Sequence, residues 1–138
     1  MTKYLLDTNV VSELRKPKPH GAVVAWIEAL DGRQMFLSAV TLGELQAGIE
    51  RTRKQNPAKA REIEAWVDRL AGSFEVLPMD AKCFRERARL MHGRPEDLLE
   101  DGMIAATAQI HNLTVATRNT RDFDRLGVRA LDPFRAAP

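Results

Sequence analysis

"KYLLDTNVV", residues 3–11, is a hydrophobic run that stops on a carboxylate and then resumes. A charge in the middle of a buried strand costs several kcal/mol unless it is paired. Asp7 therefore belongs where the run ends, at an edge that meets water or a cation. "KYLLD" reads as a short buried strand. "NVVSELRK" reads as the helix that follows, with Val10, Val11 and Leu14 at helical spacing and Pro17 and Pro19 closing it.

Outward from that point the hydrophobic period keeps switching between two and 3.6. "GAVVAWIEAL" predicts a helix with Val23, Trp26, Ile27 and Leu30 on one side. "QMFLSAV" returns to strand, and "TLGELQAGIERTRK" to helix, with Leu42, Leu45 and Ile49 inward. "PAKAREIEAWVDRLAGSF" opens with a proline suited to a first helical turn and carries the stripe Ile63, Trp66, Val67 and Leu70. "EVLP" is a brief strand. "DAKCFRERARLMHG" is a helix with Asp80 as N-cap and Gly93 as stop. "RPEDLLEDGMIAATAQIHN" is a further helix, "LTVAT" a strand, "RNTRDFDRLG" a turn with a short helix, and "VRALD" a last strand. The tail "PFRAAP" is expected to be loosely held. Alternating strands and helices predict an α/β domain, with a mainly parallel central sheet sandwiched by helices.

The chain of 138 residues fits one domain, 1–138, with a real core. Its net charge of +2 does not by itself argue for a nucleic-acid partner, but basic residues cluster at Arg15, Lys16 and Lys18 and at Arg118, Arg121 and Arg125. A solvated surface accounts for either group taken alone. Cys83 is the only cysteine, so no internal disulfide forms, and it reads as a small buried apolar residue. No run approaches the roughly 20 apolar residues of a membrane span, and "MTKYLLDTNVVSEL" is broken by Asp7 and Glu13, unlike a signal peptide. A cytoplasmic protein is expected.

In open parallel sheets, ligands bind at the carboxyl ends of the strands, near a topological switch point. Asp7 ends the first strand and Ser38 the second. Glu44 falls in the first turn of the helix after Ser38, and Asn119 and Asp122 follow "LTVAT". Asp101 sits early in a helix that must run antiparallel to "LTVAT", on one face with Ala105 and Ala108, whose small side chains let that helix approach the sheet. Asp7, Glu44 and Asp101 are thus expected at one edge, with Asn119 or Asp122 as a fourth. Each acid also has a plainer account. "TLGE" makes a capping box of Thr41 and Glu44, Asp7 and Asp122 can cap the helices beside them, and Asp101 can be surface charge among Glu96, Asp97 and Glu100. Together, the shared edge favours function. Crowded carboxylates repel, and a divalent cation relieves that. Oxygen-only donors suit Mg²⁺ or Mn²⁺ rather than zinc, and His20, His92 and His111 are scattered, the last two at helix C-terminal ends. Such an ion equips a site for attack on a phosphodiester.

These residues are also the basis of a resemblance. "YLLDTNVVSEL", "LSAVTLGELQAGI", "EDGMIAATAQIHNLTVATRNTRDF" and "ALDPF" resemble the PIN-domain ribonucleases, and more closely the VapC toxins of type II toxin–antitoxin systems, including their FitB-like branch. The stretches fall in family order over nearly the whole chain, with residues 51–95 contributing least. The resemblance implies that Asp7, Glu44 and Asp101 are the family's conserved acids and that the fold is the one derived above. Where many relatives carry Asp in a "TRD" motif, this chain has Asn119, whose amide is neutral. Asp122, one helical turn on, is the other candidate, and the number of metal ions stays open. The resemblance further implies a cognate VapB-type antitoxin, whose C-terminal segment would lie in the toxin's groove, and a homodimer, with "SELRKPKPHG" and the helices around Trp26 and Trp66 as candidate surfaces.

The leading expectation is an endoribonuclease toxin. Arg118, Arg121, Arg15 and Lys16 hold RNA phosphates, and Ser38 or Thr117 orients a metal-bound water. Single-stranded or loop RNA suits an open cleft. A catalytically inactive PIN domain that binds RNA or protein is the alternative that Asn119 keeps open. A phosphatase with Asp7 as nucleophile lacks the second Asp after "DTN" and a placed lysine. A receiver-like switch would need an acidic pair on the first strand.

Overall fold

In the computed structural model, which describes residues 1–95 and 98–135, five short strands form one sheet in the order β3-β2-β1-β4-β5, every neighbouring pair parallel. The strands are β1 (Tyr4–Leu6), β2 (Met35–Ser38), β3 (Glu75–Leu77), β4 (Thr114–Ala116) and β5 (Ala130–Leu131). Chain order runs outward from β1 through β2 to β3, then crosses back to β4 on the other side of β1. The switch point is therefore the crevice beside β1 and β4, where Tyr4 pairs with Thr114 and Leu6 with Ala116.

The helices are α1 (Thr8–Glu13), α2 (Gly21–Glu28), α3 (Ala39–Arg53), α4 (Pro57–Ser73), α5 (Ala81–Met91), α6 (Leu99–Ile110) and α7 (Thr120–Arg125). They cover both faces of the sheet. Adjacent strand residues point to opposite faces, and Leu5 and Leu6 accordingly divide the core. Leu5 packs with Ile104, Ala105 and Ala108 of α6 and with Val115 and Phe123, while Leu6 packs with Val11, Leu37 and Leu70, backed by Trp26 and Trp66. Ala105 and Ala108 are fully buried, so α6 lies close against the sheet as its small residues predict. Cys83 is buried, and burial raises its thiol pKa, as fits a packing residue.

The predicted elements appear with shifted ends. α3 starts at Ala39, because Ser38 caps it by accepting from the Val40 N–H at 3.0 Å. The expected capping box of Thr41 and Glu44 does not form. Thr41 is buried inside the first turn, and Glu44 lies in the second turn rather than the first. α6 begins only at Leu99, later than "RPEDLLEDG" suggests, and Glu96 and Asp97, offered as neighbours of Asp101, lie outside the described residues. Trp26 and Trp66 are half-buried, and Trp26 meets the Tyr4 ring edge-on at 4.9 Å. They are core residues more than free surface. The tail is better held than expected as far as Arg135. Pro133–Arg135 forms a 3-10 turn packed against α2, and Asp132 accepts from the Phe134 N–H at 2.9 Å. Among the described residues no helix is long and apolar enough to cross a membrane.

α7 is only six residues long and is anchored by one fully buried ring, Phe123. Phe123→Ala is expected to cost about 3–5 kcal/mol of unfolding free energy. Denaturant titration reads this as a lower midpoint at unchanged slope.

Candidate active site

Asp7 stands one residue past β1, and its backbone N–H donates to the Ala116 carbonyl of β4 at 2.9 Å. Its side chain is 6% exposed. Oδ1 accepts from the Thr8 N–H at 2.8 Å, which caps α1 as well. Oδ2 accepts from the Thr117 hydroxyl at 2.8 Å and from the Asn9 amide at 3.4 Å. Capping and site membership are therefore one arrangement. Burial pushes the Asp7 pKa up; the Thr117 and Thr8 hydrogen bonds pull against it, and the Glu100 charge adds to the rise.

Thr8 links Asp7 to Glu44. Its hydroxyl donates to Glu44 Oε1 at 2.9 Å and lies 3.1 Å from the Thr41 hydroxyl. Glu44 and Glu100 are neighbours across the site. Burial first, then Glu100, raises the Glu44 pKa to about 7, against the Thr8 hydrogen bond, with the Asp7 charge adding to the rise. Asp101, in the first turn of α6, is pushed up to about 6 by burial and by the charges of Asp7, Asp122 and Glu100. The Asp122 carboxyl is its hydrogen-bonding neighbour, so the structure brings Asp122 to Asp101. Asn119 is exposed, and its backbone N–H is taken up by Thr117 Oγ1 at 2.9 Å.

Five carboxyls from four segments thus form a connected ring at the carboxyl edge of β1 and β4. Among the described residues, however, no three His, Cys, Asp or Glu side chains close into a cage for one ion. The expected direct grip of Asp7, Glu44 and Asp101 on a single ion is not preformed. Mg²⁺ does not ask for such a cage, since one or two carboxylates with several waters hold it. The oxygen-only donors, with two acids raised well above their ordinary values by mutual repulsion and burial, suit a hard divalent cation.

The remaining candidates divide. Ser38 is fully buried and spent on capping α3, and Thr117, also fully buried, is spent on Asp7. Both hydroxyls thus help to build the frame of the site. Arg15 and Lys16 line a groove of about 600 Å³ with Arg51, Thr8, Glu44 and Glu100. Lys16 also pairs with the buried Glu13 at 2.9 Å, and that contact, with the His20 N–H, holds Glu13 below its usual range. Arg118 and Arg121 line a separate cavity with Asp122. Sequence reasoning passed over Glu100, Thr8 and Asn9. Glu100 sat in an acidic run that looked like surface, while "DTN" did offer the other two, as short polar side chains directly after the strand-end acid.

A sequence model of the PIN domain matches residues 4–128. The toxin FitB of Neisseria gonorrhoeae is 38% identical over 138 residues, an alignment covering 94% of this chain and 97% of FitB. The VapC ribonuclease Y4jK of Sinorhizobium fredii is 40% identical over 144 residues, covering 96% of this chain and 99% of that protein. The crystal structure of FitAcB from Neisseria gonorrhoeae superposes with a TM-score of 0.84 at 35% identity, over 95% of this chain and 98% of that one. A toxin–antitoxin complex from Klebsiella pneumoniae superposes with a TM-score of 0.72 at 26% identity, over 95% and 98%. With its five-stranded parallel sheet, its helices on both faces and its acids at one edge, this chain belongs to the PIN domain family.

Proposed function

We propose that the protein is a divalent-metal-dependent endoribonuclease of the VapC type, a toxin held inactive by a cognate VapB-type antitoxin. The observation that carries this reading is the ring of Asp7, Glu44, Glu100, Asp101 and Asp122 at the switch point, where burial and like charges leave three carboxyls with raised pKa values. PIN-domain ribonucleases depend on divalent metal as a family, and Mg²⁺, or Mn²⁺ in its place, is the ion this oxygen-only donor set favours. When bound, the ion would supply a water of lowered pKa and neutralise the phosphate. Asp7, Asp101 and Glu44 are the residues that would hold it, with Asp122 rather than Asn119 as the fourth acid.

The chain's own residues do the rest. Thr117, Asn9 and Thr8 orient Asp7 and Glu44 through the hydrogen bonds described above. Glu44, whose pKa is raised to about 7, is suited to take a proton from the attacking water. Arg15 and Lys16 on one side and Arg118 and Arg121 on the other hold the RNA backbone as point charges and forks. The similar toxin–antitoxin complex supports an antitoxin partner, and the family supports a homodimer. We read the whole chain, residues 1–138, as one PIN domain, since beyond the matched segment β5 joins the sheet and the last turn packs against α2. A cytoplasmic location follows from an RNA substrate. The alternative, an inactive PIN domain that only binds RNA or protein, is favoured by Asn119 alone.

Purified protein with Mg²⁺ or Mn²⁺ is expected to cut single-stranded RNA. Asp7→Asn and Asp101→Asn should abolish cutting while circular dichroism and melting stay native-like. Undiminished cutting by either variant rejects the site. Absence of Mg²⁺ and Mn²⁺ binding by calorimetry selects the inactive alternative.

The raised acids also set a pH dependence. A carboxyl whose folded pKa lies above its unfolded value, ordinarily about 4, binds its proton more tightly in the native state. The stability it contributes is complete below that unfolded value and is lost as pH rises through the folded one. Glu44, facing Asp7 and Glu100 with Arg15, Lys16 and Arg51 along the same groove, places the loss between about 4.5 and about 7, and Asp101 between about 4 and about 6. Metal-free protein in EDTA should therefore melt at lower temperature at pH 7.5 than at pH 5. Glu44→Gln should flatten that slope, and Mg²⁺ should restore the melting temperature at pH 7.5. A flat or rising profile for the metal-free wild type contradicts the placement of these acids.

A further inference from the structure

The acids have two basic flanks, and the second contains a residue that the sequence pattern does not point to. Beyond Asp122 the surface dips into a cavity of about 380 Å³, lined by Arg118, Arg121 and Arg135 together with Asn119, Asp122 and Asp132. Three arginines and two aspartates line it, and both carboxylates are engaged. Asp122 stands beside Asp101 and 3.6 Å from Arg125, while Asp132 caps the last turn and lies 3.8 Å from Arg135.

Arg118 is held in place at both ends. Its backbone N–H donates to Asn9 Oδ1 at 3.1 Å, two residues from Asp7. Its guanidinium lies 3.7 Å from the centroid of the Phe134 ring, which also meets the His20 ring edge to face at 5.5 Å between centroids. A guanidinium laid on an aromatic face loses little further freedom when it binds, and its N–H edge stays open to an anion. Phe134 and Arg135 belong to the same 3-10 turn, so the turn that orients Arg118 also brings Arg135 to the cavity. Asp122 is common to the cavity and the acid ring, which makes the two neighbours.

We propose that this cavity is a phosphate subsite for the RNA strand, holding a phosphate on the β5 side of the scissile one through Arg118, Arg121 and Arg135, with Phe134 as the positioning residue for Arg118. The subsite rests on the reading of the acid ring as the RNA-cutting centre. It completes a path across that ring, from the groove of Arg15, Lys16 and Arg51 to the three arginines beyond Asp122. A strand that must occupy both flanks is an internal stretch of single-stranded RNA, so the substrate needs at least one nucleotide past the cut on the β5 side.

The test uses the full chain and a fluorescent single-stranded oligoribonucleotide in EDTA, with anisotropy followed against NaCl. For single strands, each lost phosphate contact lowers the slope of log affinity against log salt by about 0.7. Arg135→Ala, whose side chain is 88% exposed and so does not threaten the fold, should show that loss. Phe134→Leu should weaken binding while keeping all three charges. Oligonucleotides carrying a neutral methylphosphonate at successive linkages should reveal one linkage, next to the scissile phosphate, whose neutralisation is not additive with Arg135→Ala. An unchanged slope in Arg135→Ala, or full additivity at every linkage, overturns the subsite. Cleavage of the same oligonucleotide by wild type with Mg²⁺, and its loss in Asp101→Asn, is measured alongside. Wild type that cuts while Arg135→Ala keeps the wild-type slope removes the subsite and leaves the nuclease standing. Wild type that neither binds nor cuts removes both.

Discussion

The hydrogen bond from Thr117 to Asp7, 2.8 Å long and buried, ties the end of β4 to the end of β1 at the point where the sheet reverses its winding. A carboxylate in that position would be costly without donors. It receives three, from Thr117, Thr8 and Asn9, and each donor has a second duty. Thr8 reaches Glu44, Asn9 receives the Arg118 N–H, and Thr117 receives the Asn119 N–H. The frame of the site is thus a set of neutral hydroxyls and amides around one acid. Everything charged is arranged around that frame.

That division leaves the acids crowded, with the Glu44 and Asp101 pKa values raised. Neutral donors can satisfy Asp7 individually, but they do not cancel the repulsion among Asp7, Glu44, Glu100, Asp101 and Asp122. The fold holds these groups near each other by packing, through the fully buried Ala105 and Ala108 of α6 and through Phe123 of α7, and it tolerates the electrostatic strain. Sites that trade stability for activity commonly look like this.

Much of this was legible in the sequence where one rule governed one residue. Asp7 could be placed because a hydrophobic run ended on it, and Asp101 because helical phase set it over two alanines. The alternation of periods located all five strands, although β5 shrank to two residues. Other features needed contacts between distant segments. Ser38 and Thr41 are both suitable caps three residues apart, and only packing chose Ser38, which moved Glu44 to the second turn. That Asp122 rather than Asn119 neighbours Asp101 depends on how α7 packs, which no local pattern states. Glu100 looked like one more charge in an acidic run until Glu44 stood opposite. The stack of Arg118 on Phe134 joins residues that no local pattern connects.

The strand order has a bearing on synthesis. β1 is synthesised before the other four strands of its sheet, yet it lies in the middle of that sheet, and the partner that fixes Asp7 arrives 110 residues later. A nascent chain carries its first acid from the outset without the hydroxyl that orients it. Contacts of such long sequence separation also form late and slowly in folding. A polypeptide interrupted before β4 lacks the hydroxyl that orients Asp7, so translation delays assembly of the pocket until β4 and Thr117 have been made.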